Sequence, residues 1–196
     1  MKVLISGASG LVGKALQTSL QDSGNEVFVL VRDRKEVSPN AIFWNPKDGL
    51  IDIASLEDFD AVVNLSGENI AGGRWTEALK KQLLDSRVES TTTLVNALTR
   101  LNHPPKVLIN ASAVGYYGNR GDEICTEETH HGTGFLADVC RQWEEAAIPA
   151  EQKGIRTVIL RTGVVLSANG GAFTKMLLPF KLGGGGKLGS GEQYMS

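Results

Sequence analysis

The 196-residue sequence predicts an α/β domain, a doubly wound parallel sheet with helices on both faces. Three observations carry that expectation. Short β-rich runs alternate with stretches of helical spacing along the whole chain. The first run is followed at once by three glycines, Gly7, Gly10 and Gly13, set three apart. The composition, 41% hydrophobic and 21% charged, is that of an ordinary folded domain with enough chain to bury a core.

The elements follow in order. Residues 2–6 (KVLIS) read as a buried strand, and residue 10 opens a helix with Leu11, Ala15 and Leu16 on one side. Residues 26–31 (EVFVLV) form a second β-rich run, residues 41–44 (AIFW) a third and residues 60–65 (DAVVNL) a fourth. Residues 77–100 have helical spacing, with Leu79, Leu83, Val88, Leu94, Val95 and Leu98 facing inward. A fifth strand covers 106–110 (KVLIN), a helix broken by Pro149 covers 134–152, and a sixth strand covers 157–160 (TVIL). Residues 173–182 read as a last helix ended by Pro179. The remaining GGGGKLGSGEQYMS carries six glycines between Gly183 and Gly191, enough for a loop. The division expected is therefore a domain over 1–182 and a glycine-rich loop over 183–196 that leads to a further, substrate-side lobe.

Charge and composition exclude several classes. A net charge of −2 with no basic block leaves no footprint for nucleic acid. No apolar run reaches the roughly 18 residues of a membrane span. The N-terminus lacks the apolar core of a signal peptide. Cys125 and Cys140 make no disulfide framework, which favours a reducing compartment. The expectation is a cytoplasmic protein acting on a small molecule. Oligomeric state is not legible.

The glycines carry the functional reading. In strand–GxxGxxG–helix, the first glycine permits a tight turn and the second lets backbone approach a pyrophosphate. The third lets helix and strand pack closely, with the helix N-terminus facing the anion. The alternative is a purely structural glycine turn, but the position after the first strand of a βαβ unit favours a dinucleotide pocket of Rossmann type. The second strand then ends Leu30-Val31-Arg32, where an NAD site usually places a carboxylate for the ribose. A guanidinium there suits a 2′-phosphate, so NADP(H) is expected. Alternatively Arg32 is merely solvated, and Asp33 approaches the ribose.

Further segments narrow this: NLSGENIAGGRW (64–75), ASAVGYYG (111–118), CRQWEEAA (140–147), RTGVVLS (161–167) and the run from Gly170 to the end. With the glycine motif, they resemble the extended short-chain dehydrogenase/reductases, and most closely the atypical epimerase-family group labelled NAD-dependent epimerase/dehydratase-like. Such proteins run on for about a hundred further residues forming a substrate-side lobe. The resemblance implies that Gly7, Ser9, Gly10, Leu11 and Val12 surround the pyrophosphate and that Arg32 meets the adenosine phosphate. It places Leu65, Ser66 and Gly67 along the adenosine ribose and diphosphate, Ala111 and Ser112 at the nicotinamide ribose, and Thr162, Gly163 and Val164 near the carboxamide.

The resemblance also exposes a departure. Standard members carry Tyr-x-x-x-Lys on the helix after the fifth strand, with a serine upstream. Taking Glu144 as register, the tyrosine and lysine positions hold Leu136 and Cys140; one residue earlier they hold Phe135 and Val139. The atypical group shares this loss, with cysteine often in place of the lysine and an arginine, here Arg87, in place of a helix asparagine. The candidates for catalysis are therefore Ser112, whose alignment is ambiguous by one against Ala113, then Tyr116 as a displaced acid, and Cys140. Tyr117 reads as structural, and Arg120 follows Tyr116 by four residues without being placed beside it. Cys140 reads more readily as a packed hydrophobe. Arg87 either binds a substrate anion or, the preferred reading, pairs with Glu144. His130 and His131 near Cys125 lack a full set of metal ligands. Trp44, Trp75 and Trp143 read as packing residues, with Trp44 a possible border of the adenine. Two functions stay open: an NADP(H)-dependent oxidoreductase or epimerase with a non-standard acid, and a non-catalytic NADPH-binding regulator or scaffold.

Overall fold

The structure, a computed structural model, describes residues 1–187 and 190–192. Its elements are β1 (Lys2–Ser6), α1 (Leu11–Asp22), β2 (Glu26–Val31), β3 (Ala41–Asn45), β4 (Leu50–Ile51), β5 (Ala61–Asn64), α2 (Glu77–Leu98), β6 (Val107–Ala113), α3 (Phe135–Ala147), β7 (Arg156–Thr162) and α4 (Gly171–Lys181). Residues 188, 189 and 193–196 of the expected glycine-rich loop, with Tyr194 among them, lie outside the described residues.

The seven strands form one sheet in the order β4-β3-β2-β1-β5-β6-β7. Every neighbouring pair is parallel except β3 and β4, where Trp44 faces Ile51 and Asn45 faces Leu50. The expected parallel sheet is thus present with an added antiparallel edge. A tight turn makes that edge: Pro46–Asp48 form a 3-10 turn and Gly49 takes a left-handed φ of +65°. The chain winds outward from β1 to β4, then restarts on the other side of β1 with β5. That restart is the topological switch point.

Side chains alternate across β1 and so divide the core in two. Val3 and Ile5 pack with Val27 and Val63 beneath Leu16 and Leu20 of α1. Leu4 faces the opposite way, toward Leu94 and Leu98 of α2 and Ala147 of α3. Helices therefore cover both faces around β1. At β7 the covering thins, and Leu160 is left 42% exposed.

Several element boundaries differ from expectation. β6 runs on to Ala113, because Ala111, Ser112 and Ala113 pair in register with Leu160, Arg161 and Thr162. α3 stops at Ala147 and continues as a 3-10 turn over Ile148–Lys153, since Pro149 has no N–H to donate. Pro179 does not end the last helix; α4 runs through it to Lys181. Trp44 does not border a ligand: it is 2% exposed and packs in the core.

A buried polar ladder crosses the sheet at its C-terminal edge. Ser6, Asn64 and Asn110 stand in register on β1, β5 and β6, and all three are fully buried. Ser6 Oγ donates to Asn64 Oδ1 at 2.5 Å, and Asn64 Nδ2 donates to Asn110 Oδ1 at 2.6 Å and to Thr91 Oγ1 at 2.8 Å. Trp143 Nε1 donates to the same Thr91 hydroxyl at 3.0 Å. One amide thereby joins three strands to α2, and through Thr91 to α3. Replacing Asn64 by Ala takes the acceptor from the Ser6 hydroxyl, the donor from Asn110 Oδ1 and one of two donors from Thr91, at an expected cost of about 3 kcal/mol or more in urea unfolding. A loss below about 1 kcal/mol would show that the ladder is incidental.

Candidate functional site

The predicted cofactor residues follow the C-terminal ends of β1, β2, β5 and β7 or stand at the end of β6, on the edge of the sheet where β1 and β5 make the topological switch point. Gly7 follows β1 with φ +70°, and a Cβ there would lie 2.5 Å from Leu65 O. Only glycine fits on both grounds. A Cβ on Gly13 would meet Gly7 O at 2.5 Å and Ala8 Cα at 2.7 Å, so this glycine lets α1 press against the turn. Gly10 differs: its nearest neighbour would be Gly7 O at 3.3 Å, and its outer side is exposed. The three glycines thus divide into turn, approach surface and packing contact.

Gly10 caps α1 with no side-chain hydrogen bond, and no acidic residue occupies the first turn. Lys14 is the first amide to bond back, to Gly10 O at 3.0 Å, leaving the N–H groups of Leu11, Val12 and Gly13 without helical acceptors. Donors and helix dipole together favour an anion. Ser9 and Val12 are exposed beside this turn, and Leu11 is half-buried. The cradle fits a dinucleotide pyrophosphate.

The opposite wall is the segment after β5. Leu65 N–H donates to Ser6 O at 3.1 Å and Ser66 N–H to Asn64 Oδ1 at 3.3 Å, so the polar ladder fixes where Leu65, Ser66 and Gly67 leave the sheet. At the end of β2, Arg32 is exposed and has no hydrogen bond or ion pair among the described residues. Its neighbours are committed. Asp33 accepts from Lys35 N–H at 2.9 Å as a turn cap, and the Arg34 guanidinium stacks on Phe43 at 4.0 Å.

At the other end of the crevice, Ala111 is half-buried on β6, Thr162 ends β7, and Gly163 and Val164 follow it. Thr162 Oγ1 donates to Ser112 O at 3.2 Å. Ser112 itself turns inward: it is 2% exposed, and its hydroxyl donates to Glu144 Oε1 at 2.6 Å. Glu144 is held in turn by Arg161, from Nε at 2.9 Å and Nη2 at 2.8 Å. Glu144 therefore pairs with Arg161 and not, as expected, with Arg87. The hydrogen bonds that Arg161 donates to this carboxylate push its own pKa well above the usual value. Arg161 also donates to Tyr117 Oη at 3.0 Å and lies against the Tyr116 ring, 3.5 Å from its centroid.

Tyr116 stands on a 3-10 turn, Val114–Tyr117, directly after β6, and its hydroxyl makes no hydrogen bond among the described residues. Arg120 is not its partner; that side chain holds Tyr117 O and His130 O. Cys140 is 4% exposed, and burial pushes its thiol pKa up, keeping it neutral. Its Sγ lies 3.7 Å from where a Cβ on Gly115 would stand. No group of three side chains suited to a metal ion occurs among the described residues. Nor is any helix among them long and apolar enough to cross a membrane.

Three arrangements escaped the reading of the sequence: the Asn64 ladder, the Ser112–Glu144–Arg161 chain, and the hold of α2 on the segment after β5. In the last, Ser86 Oγ accepts from Glu68 N–H at 3.0 Å and Arg87 donates to Glu68 O at 3.0 Å. One signal was available. KVLIS, AVVN and VLIN all end an apolar run on a small polar residue.

A mostly parallel sheet with a glycine turn at its switch point is the architecture of the dinucleotide-binding α/β proteins. The model of the NAD dependent epimerase/dehydratase family matches residues 3–194, and the chain belongs to that family. Epimerase family protein MT2273 of Mycobacterium tuberculosis is 48% identical over 194 residues, 99% of this chain and 64% of that protein. The crystal structure of human epimerase family protein SDR39U1 (isoform 2) with NADPH superposes with a TM-score of 0.86 at 38% identity, over 100% of this chain and 64% of that one. A nucleoside-diphosphate sugar epimerase from Corynebacterium glutamicum gives 0.83 at 40% identity, over 97% of this chain and 39% of its own. The chain thus spans just under two thirds of the length of the curated relatives it matches.

The glycine geometry makes a sharp prediction for urea unfolding. Gly13→Ala forces backbone apart and is expected to cost about 2 kcal/mol. Gly10→Ala is expected to stay within about 0.5 kcal/mol of the parent. Equal costs at the two positions would contradict the division of roles.

Proposed function

We propose that this chain forms the NADP(H)-binding part of an oxidoreductase or epimerase acting on a small polar, sugar-nucleotide-like substrate. The observation that carries the reading is the pairing of an open glycine cradle with an uncommitted Arg32 at the end of β2. The nearest carboxylate in sequence, Asp33, is spent as a turn cap. The NADPH named with the human SDR39U1 structure adds support. In this reading the amides of Leu11, Val12 and Gly13 hold the pyrophosphate, and Arg32 holds the 2′-phosphate through its planar fork. The bound nicotinamide supplies hydride chemistry, and the chain supplies alignment and a proton.

Tyr116 is the proposed proton donor. Its hydroxyl is unspent, and the Arg161 guanidinium lies on its ring face. Ser112 becomes a positioning residue in this reading. Its proton is directed at Glu144, and its backbone carbonyl takes the Thr162 hydroxyl.

The second reading is a protein that binds NADPH and performs no turnover. The inward, hydrogen-bonded state of Ser112 and the neutral, buried Cys140 favour it. Parallel titrations with NADPH and NADH, repeated on Arg32→Ala, test the binding that both readings share. NADPH is expected to bind at least about tenfold tighter than NADH, as one charge-assisted pair requires, with the preference lost in the variant. Equal affinity for the two cofactors in the parent would overturn the phosphate reading. Oxidation of bound NADPH by a carbonyl metabolite, abolished in Tyr116→Phe, would select the enzyme; no turnover with any metabolite mixture would select the binder.

A further inference from the structure

The chain has three histidines, and one of them meets the proposed proton donor. His103 pairs with Asp58 at 3.2 Å before β6, at the opposite edge of the sheet from the glycine turn. The His130 side chain has no hydrogen bond, ion pair or ring contact among the described residues. His131 is held against Tyr116: the two rings meet edge to face, with centroids 6.0 Å apart and planes at 78°. The backbone enforces that contact. Gly132 N–H donates to Tyr116 O at 2.8 Å, and a Cβ on Gly132 would overlap the Tyr117 carbonyl, so the two segments press together. Arg120 braces them, from Nε to Tyr117 O at 3.0 Å and from Nη2 to His130 O at 2.5 Å.

The hydrogen bonding of the imidazole fixes its tautomer. His131 Nδ1 lies 2.9 Å from Gly132 O. A carbonyl only accepts, so Nδ1 carries the proton and Nε2 keeps its lone pair. Nε2 has no partner among the described residues, and neither has the Tyr116 hydroxyl. The phenol is half-buried, while the imidazole is exposed. The cations around them are already engaged. Arg161, on the Tyr116 ring face, is paired with Glu144 and also donates to Tyr117 Oη and Glu127 O. Arg120 lies 3.5 Å from the Glu123 carboxylate.

We propose that His131 is a proton relay, returning to Tyr116 the proton that its hydroxyl gives to a substrate carbonyl. The proposal rests on the enzyme reading above, in which Tyr116 is the donor. In that step a hydride from NADPH forms the new C–H bond, and the Tyr116 proton goes to the carbonyl oxygen, leaving a phenolate. His131, having taken a proton from solvent at Nε2, passes it through one water to the phenolate and reverts to its neutral Nδ1–H form. One hydride and one proton enter, and one alcohol leaves. A substrate oxygen on the Tyr116 hydroxyl displaces water there, whereas the neighbouring imidazole stays in contact with solvent. Imidazole is also the side chain whose charge changes most readily near neutral pH. The rival account is a solvated His131 that only covers the edge of the Tyr116 ring.

Two measurements decide between them. The first is the 15N spectrum of the three imidazoles, assigned by His130→Gln and His131→Gln. An Nδ1–H tautomer is expected at His131, and an Nε2–H tautomer would overturn the relay, because no lone pair would then face outward. The second is NADPH oxidation by the carbonyl probes isatin, glyceraldehyde and dihydroxyacetone. His131→Gln is expected to lose at least about tenfold in kcat, with KM and NADPH affinity unchanged and the rate restored by added imidazole. His130→Gln is expected to keep the parent rate. Loss without rescue by imidazole, loss of NADPH affinity along with rate, or an equal loss in His130→Gln makes the role structural and overturns the proposal. A parent that reduces a probe while His131→Gln keeps its rate defeats the relay alone. A parent that reduces none of the probes defeats the enzyme reading, and the relay falls with it.

Discussion

Asn64 is the constraint on which the rest of the crevice depends. A buried carboxamide must spend both its donors and its acceptor, because each group left unpaired away from water costs about as much as a whole hydrogen bond contributes. Here the acceptor goes to Ser6 and Ser66, and the donors go to Asn110 and Thr91. Those partners lie on β1, β6 and α2 and on the segment just past β5, so the amide is satisfied only when these elements are in register. The switch point at which β1 and β5 diverge is therefore fixed by polar geometry as well as by apolar packing. Gly7, one residue past Ser6, then sits against Leu65, one residue past Asn64, with no room for a side chain.

The same logic extends outward along β6. Two residues beyond Asn110, on the same face, Ser112 meets Glu144, and Glu144 meets Arg161. Each charge in that chain is matched, which suits a device that holds β6, α3 and β7 together. Tyr117 closes it from the turn after β6. Arg87, which has no carboxylate at ion-pair distance among the described residues, lies outside this accounting, and so do Arg32 and the hydroxyl of Tyr116.

Much of this was legible in the sequence. The glycine spacing, the β-rich runs and the helical periodicity of residues 77–100 located six of the seven strands and the four helices, because each rests on local chemistry. The missed β4 is two residues long and depends on the Asn-Pro-Lys-Asp-Gly turn that returns it to β3. Boundaries failed where pairing overrides propensity: Ala111, Ser112 and Ala113 are poor strand formers, held extended by β7. The side-chain partnerships were illegible for a different reason. Nothing in the sequence says which of two arginines 74 residues apart, Arg87 or Arg161, receives Glu144. That choice is made by the register of β6 with β7, which puts Arg161 opposite Ser112.

Amide hydrogen exchange with and without NADPH addresses the central claim most directly, since it reads the backbone donors themselves. Protection is expected at the first-turn amides Leu11, Val12 and Gly13 and across Ser66 and Gly67, with little change at the β3–β4 edge. Saturating NADPH that leaves the first turn of α1 unprotected, or that protects the β3–β4 edge in its place, would contradict a dinucleotide site at the switch point.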